Sequence, residues 1–167
     1  MKATIKHLYV SPDHNYFGRY GKDSLKHPIE ERSALELVAG SGIVDDRFFD
    51  YEPDYKGQIT FFDWAVYEKV VSKFGVENLK PTVFRRNVVI EGVDLNSLIG
   101  KRFTINGMEF TGSCECSPCF WMDEAVAEGA EEFLKGRGGL RARIVSGGSL
   151  VTGAANFKVL GNVADAV

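Results

Sequence analysis

Histidine and cysteine are both scarce in this sequence, three of each in 167 residues, and the histidines all fall before residue 28. A structural zinc site takes four close ligands, so any such site here has to recruit at least one from far along the chain. An odd number of cysteines also excludes a fully paired disulfide framework of the kind that staples small secreted domains. No stretch approaches the ~20 apolar residues of a membrane span, and the amino terminus, Met1 to Lys6, lacks the apolar run of a signal peptide. A cytoplasmic protein is therefore expected. Strong net charge is missing as well: 20 basic residues against 23 acidic ones leave -3. That balance gives no bulk attraction to nucleic acid or to an anionic membrane surface, so an anion site must be a local cluster of basic side chains. Repeats and low-complexity segments are absent too. What is present is ordinary for a globular chain, 44% hydrophobic and 26% charged. One domain over residues 1–167, able to bury a core without metal or disulfide, is the expectation.

The cysteines are not scattered. Cys114, Cys116 and Cys119 fall within six consecutive positions of Gly112-Ser113-Cys114-Glu115-Cys116-Ser117-Pro118-Cys119-Phe120-Trp121. Cysteines used only as small buried hydrophobes have no reason to cluster, so the group points to sulfur chemistry: a soft metal ligand, a nucleophile or a sulfur carrier.

In chain order, alternation over residues 2–10 predicts a first strand, and Asp13 to His27 a glycine-punctuated loop. Leu35-Glu36-Leu37 predicts a second strand, turned by Gly40-Ser41-Gly42 into an acidic stretch around Arg47. Gln58 to Phe62 predicts a strand that runs into a helix capped by Asp63, stapled by Phe62 and Tyr67, and stopped at Gly75. Val88-Val89-Ile90 reads as a buried strand and residues 94–100 as a short helical turn. Asn106-Gly107 supplies the two positive-φ positions of a tight hairpin, pairing Ile105 with Met108 and Phe103 with Phe110. Regular alternation then carries Gly112 and Cys114 to the apolar face, which makes Cys114 a core residue. Pro118 suits a strand end that presents Cys119 exposed and, beside a helix start, ionised. Asp123 is placed to cap one helix reaching to Gly136. Strands at Leu140 to Ile144, Leu150-Val151 and Phe157-Lys158-Val159 close the chain.

Three chemistries fit these pieces. A structural zinc site needs a distant fourth ligand. A redox dithiol at Cys116-Ser117-Pro118-Cys119 has the right spacing, in a chain that is hairpin-linked rather than βαβ. The basic residues Arg85, Arg86, Arg137, Arg141 and Arg143 stand near glycines or strand ends, either as a solvated surface or as guanidinium forks for a phosphate. Arg47 among its acids reads first as a local ion pair. A thiolate together with phosphate-binding arginines is what a phosphorylated pterin carrying a soft metal requires.

Taken together, Gly40 to Arg47, Gly57 to Thr60, Arg85 to Leu95, Leu98 to Phe103, Cys116 to Cys119 and Gly138 to Arg143 resemble the MOSC domain in content and order, over roughly residues 30–153. This is the carboxy-terminal module of molybdenum cofactor sulfurases and also occurs in amidoxime-reducing enzymes and stand-alone bacterial proteins. The resemblance implies a mostly β domain with a few α-helices, built as a MOSC-type β-barrel. It implies a molybdopterin cofactor, with Cys119 as reactive cysteine or metal ligand, Cys116 as its companion and possible second ligand, and Arg47, Arg85, Arg86, Asn87 and Arg141 around the pterin and its phosphate. Arg85, Arg86 and Arg141 should then line one pocket with Cys119, and Gly40 to Gly42 and Gly138-Gly139 should admit a flat small-molecule substrate. The function implied is reduction of N-hydroxylated compounds with electrons from a separate transfer protein; the alternatives are carriage of cofactor, or of sulfur from a donor, and a zinc or thiol binding module. Where the family has Gly-Asp-Arg-His, this chain has Asp45-Asp46-Arg47-Phe48, and Cys114 is an extra cysteine. No pyridoxal-phosphate sulfurase segment is visible, so desulfuration of cysteine by that route is not expected.

Overall fold

The computed structural model describes residues 1–12 and 29–165. The loop expected from Asp13 to His27 lies outside the described residues.

Among the described residues, alternating and β-rich segments become eleven strands: β1 (Lys2–Val10), β2 (Glu30–Arg32), β3 (Ala34–Val38), β4 (Gly42–Ile43), β5 (Ile59–Asp63), β6 (Val88–Glu91), β7 (Lys101–Ile105), β8 (Met108–Glu115), β9 (Leu140–Ile144), β10 (Gly148–Val151) and β11 (Gly153–Asn162). Seven of them close on themselves in the order β11-β7-β8-β9-β5-β6-β1, because β1 pairs back onto β11. Closure removes the free edges that an open sheet would expose. The first half of β1, Lys2 to Ile5, makes that closing pairing; Leu8 to Val10 continue along the same edge with β2. The β5–β6 pair is parallel, and its crossover contains α1 (Trp64–Phe74). A second sheet of β10, β3 and β4 is not hydrogen-bonded to the barrel strands, but its Leu35, Leu37, Ile43 and Leu150 pack into the same core.

The hairpin follows from its turn. Asn106 and Gly107 both adopt positive φ, 50° and 82°, and the register joins Ile105 to Met108 and Phe103 to Phe110. Alternate residues of the barrel strands fill the interior, where Phe61, Phe103, Phe110 and Phe157 are fully buried against aliphatic neighbours. Helix α1 starts and stops as expected: the Asp63 carboxylate accepts from Ala65 N at 2.9 Å, and Gly75 ends it in the left-handed conformation. Its buried Val66 and Val70 pack with Phe62, Phe84, Met122 and Leu134 into a second apolar cluster outside the barrel.

Two expectations are corrected. The pairing of β8 with β9 slips between Gly112, opposite Ala142, and Cys114, opposite Arg141, so Ser113 is an extra residue. A bulge of one residue reverses the facing of everything after it. Cys114 is therefore half-buried beside Arg141 instead of in the core, and Cys116 is the buried cysteine. Gly112, at the edge of the bulge, has to be glycine, because a Cβ there would overlap the Leu98 carbonyl oxygen. The single helix expected from Asp123 to Gly136 is two short ones, α2 (Trp121–Ala125) and α3 (Ala130–Leu134). Gly129, at φ 92°, separates them. Asp123 lies inside α2, and its carboxylate accepts from Glu131 N at 2.8 Å, holding the two pieces together.

Candidate functional site

A buried polar network forms the floor of the site. The Asp46 side chain, 1% exposed, accepts from Ser11 N at 3.0 Å, from Asn87 Nδ2 at 3.2 Å and from Phe48 N at 3.3 Å, and lies 3.5 Å from the Arg47 guanidinium. Asn87 spends its remaining capacity inward: its Oδ1 accepts from Thr60 N and Oγ1, both at 3.0 Å, and Nδ2 also donates to Tyr9 O. Arg85, in the left-handed conformation at φ 55°, donates to Ser11 Oγ at 2.7 Å. The connection between β5, β6 and the Arg47 loop is thus made by side chains, with every donor and acceptor matched.

Over this floor opens a cavity of about 380 Å3. Among the described residues its polar lining includes Arg47, Arg85, Arg86 and Arg141 and not one carboxylate; its apolar walls include Phe48, Phe62, Phe84, Phe120 and Trp121. Such a volume sits at the lower end of small-ligand sites, roughly 300–1,000 Å3. The charge points inward. Arg86 is held by two carbonyl oxygens, Phe84 O at 2.8 Å and Gly138 O at 3.1 Å, which aim the guanidinium and leave its charge uncompensated. Arg47 lies over Phe48, 4.7 Å from the ring centroid. Burial lowers its pKa from the ordinary arginine value, Asp46 opposes that shift, and Arg86 adds to it. Repulsion between two guanidinium groups that have lost solvent is relieved by an anion between them.

Cys116 and Cys119 both line the same cavity. The segment between them is seated by glycine. Cys116 N donates to Gly139 O at 2.8 Å, and a Cβ on Gly138 would overlap the Cys116 carbonyl oxygen, so two backbones lie in direct contact. Gly138 lines the cavity and also lets the Cys116 backbone approach, while a Cβ on Gly42 would meet the Phe48 and Phe49 backbone, so that glycine serves packing. Cys119 also departs from expectation. Burial pushes its thiol pKa up, a hydrogen bond involving the Trp121 backbone and the charge of Arg86 pull it down less strongly, and Glu131 raises it. The thiol is therefore protonated at neutral pH; α2, one turn long, gives it no useful dipole.

Arg85, Arg86, Arg141, Arg47 and both cysteines are thus brought together from distant points of the chain, as expected. Asn87 is not a lining residue; its amide serves the floor. Arg137 and Arg143 are elsewhere: Arg137 packs over Phe133 and donates to its carbonyl, and Arg143 pairs with Asp54 and donates to Ser113 Oγ. Ser11 and Tyr55 belong to the site and carry no motif of their own; Asp46 and Phe48 flank Arg47 in the stretch that stands for the family's Gly-Asp-Arg-His, and that place is the signal that could have found them.

Among the described residues no cluster of three His, Cys, Asp or Glu side chains could hold a metal ion. The thiol, the flat aromatic walls and the acid-free arginines suit a pterin phosphate bearing a soft metal, so the residues present fit that group. No helix among the described residues is long and apolar enough to cross a membrane.

Comparison with known proteins agrees with the architecture. A sequence model of the MOSC domain matches residues 50–162. The crystal structure of the YUAD protein from Bacillus subtilis superposes with a TM-score of 0.71 at 21% identity, covering 95% of this chain and 96% of that one. YiiM from Escherichia coli gives 0.65 at 15% identity, covering 98% of this chain and 71% of that one. YiiM from Geobacillus stearothermophilus gives 0.67 at 11%, covering 95% and 75%. No curated protein sequence matches the chain at a significant level.

Proposed function

From the premise that this chain belongs to the MOSC domain family, whose domain is associated with the molybdenum cofactor, we propose that the cavity beside Cys119 holds that cofactor and that the loaded protein reduces N-hydroxylated small molecules. The observation that carries this reading is one cavity in which a cysteine thiol and four arginines converge, with no carboxylate among the described residues that line it. Arg47 and Arg86 would grip the phosphate through charge-assisted hydrogen bonds. Phe48 and the other aromatic walls would lie against a flat ring and keep water out. Cys119 would supply one thiolate, and because burial holds the thiol protonated, its proton would leave when the ligand is bound. When bound, the group would supply the site that takes one oxygen from nitrogen. Conversion of N–OH to N–H with release of water consumes two electrons and two protons, and the electrons would come from a separate transfer protein. Three free cysteines fit a reducing, cytoplasmic setting.

The test is metal analysis and pterin fluorescence on protein purified from a host that makes the cofactor, followed by turnover of hydroxylamines, amidoximes and N-oxides with an artificial low-potential donor. Wild type should retain molybdenum and turn over, and Cys119→Ser should lose the metal without unfolding. A molybdenum-loaded sample inert toward the whole panel would sink the reductase; a transferable persulfide on Cys119 in such a sample would assign carriage instead.

A further inference from the structure

The cavity offers neutral donors as well as charged ones. Among its described lining residues, hydroxyls stand on Tyr55, Thr60 and Ser117. That of Thr60 is spent on Asn87 Oδ1 at 3.0 Å, and Ser117 is exposed. Tyr55 is half-buried, and its hydroxyl makes no hydrogen bond with any described residue. No buried side-chain oxygen or nitrogen among the described residues lacks a partner, so this hydroxyl is not sealed in the wall; it is open to a ligand.

The Tyr55 ring is held by three neighbours. It stacks on Phe48 with centroids 5.3 Å apart and lies 4.8 Å from the Tyr51 ring. On the remaining side is Gly57, where a Cβ would come within 3.1 Å of the ring edge and 3.4 Å of the hydroxyl oxygen, so the missing side chain is what gives the ring its place. Burial raises the phenol pKa, Arg141 opposes that shift, Tyr51 and Glu52 add to it, and Arg47 opposes it. The hydroxyl is therefore protonated at neutral pH and lies in the field of two guanidinium groups, a field that draws in an anion able to accept from it.

Resting on the reading of this cavity as a molybdenum cofactor site, we infer that Tyr55 is a further ligand of the cofactor's phosphate, its hydroxyl donating to an oxygen of the group that Arg47 holds by charge. The arginines leave room for such a donor. Arg47 already lies 3.5 Å from Asp46 Oδ1 and donates to Arg85 O at 3.4 Å, and Arg86 gives Nε and Nη1 to carbonyl oxygens. A phosphate has three terminal oxygens, each able to accept more than one bond, and a phenol adds a short O–H···O− bond without adding charge. Gly57 is then a positioning residue that acts through Tyr55.

The experiment titrates inorganic phosphate by calorimetry into the full chain purified from a host that does not make the cofactor. Tyr55→Phe keeps the ring and removes only the hydroxyl; it should weaken phosphate about tenfold, the size of one hydrogen bond to a charged group, with the melting temperature unchanged. Phosphate should also produce a tyrosine ultraviolet difference spectrum in wild type that is missing in Tyr55→Phe. Gly57→Ala should weaken phosphate by pressing on the ring and should add nothing in the Tyr55→Phe background, because the two act through one hydroxyl. Equal phosphate affinity in wild type and Tyr55→Phe, or no phosphate binding by wild type, would overturn the inference, and an effect of Gly57→Ala that persists without the hydroxyl would overturn the positioning role. Molybdenum retention is measured separately on protein from a host that makes the cofactor. A wild type that holds no molybdenum while Tyr55→Phe still weakens phosphate would sink the cofactor reading and keep Tyr55 as an anion ligand.

Discussion

The two faces of the same strands do opposite things. In β9 the residues Leu140, Ala142 and Ile144 point into the barrel, and Arg141 between them lines the cavity outside. In β5 the pattern repeats, with Ile59 and Phe61 inside and Thr60 and Phe62 on the cavity side. A closed barrel pairs its backbone groups within the sheet, so its inner face is filled by apolar side chains alone, while the outer face under α1 and α2 is free to carry charge. Stability and chemistry are thereby divided by face, not by segment. A substitution should cost folding or binding according to which way its side chain points.

The largest effect should come from inside. Phe110→Ala removes a fully buried ring that stands edge-on to Phe61 at 5.8 Å and stacks on Phe103 at 5.4 Å. Denaturant unfolding should show a loss of about 3–5 kcal/mol, enough to consume much of a domain's stability. A loss below about 1 kcal/mol would break the division at its strongest point.

The polar floor is where the division should blur. All the bonds to Asp46 come from donors, so Asp46→Asn turns an amide N–H toward one of them, Ser11 N, Asn87 Nδ2 or Phe48 N. We expect about 1–3 kcal/mol of destabilisation together with weaker phosphate binding, since Arg47 loses the carboxylate that positions it. Unchanged stability with weakened binding would instead place Asp46 wholly on the chemical side.

The smallest effect is a pH dependence. Because burial raises the Cys119 pKa, the folded state binds more protons than the unfolded one between the ordinary cysteine value and the raised one. Stability should therefore be full below the ordinary value and decline as pH rises through that window, shallowly for a half-exposed thiol. Cys119→Ser should flatten that decline. A stability that rises over the same range in wild type would mean the thiol is ionised in the native state. Alkylation gives the same sign, with Cys119 reacting more slowly at neutral pH than a free thiol.

Much of this was legible in the residues because it is local. Asn106-Gly107 dictates its hairpin, Asp63 and Gly75 bound α1, and alternation at Leu140 to Ile144 names the inward side chains, since each depends on neighbours within one turn or one strand. The family motifs carried the rest of the architecture and gathered Cys119 with Arg85, Arg86 and Arg141. Two errors share a cause. Cys114 was given the wrong face, and Cys119 the wrong ionisation, because a bulge at Ser113 and the burial of a thiol are set by what packs on the segment from elsewhere. Gly112 has to lie against Leu98, Gly138 against Cys116, and Gly139 against Phe61.

The amino-acid sequence by itself determined most of the barrel strands, the hairpin register, the first helix and the identity of the cavity's arginines, but not the short strands at Glu30–Arg32 and Gly42–Ile43. Only the tertiary structure decided that Arg86 is clamped by two carbonyl oxygens, that Asn87 belongs to the floor, and that Tyr55 stacks on Phe48 in the cavity wall. Those outcomes turn on distances between residues far apart in the chain, fixed when β1 closes on β11 and when the Arg47 loop settles over β6, and no spacing along the chain encodes them.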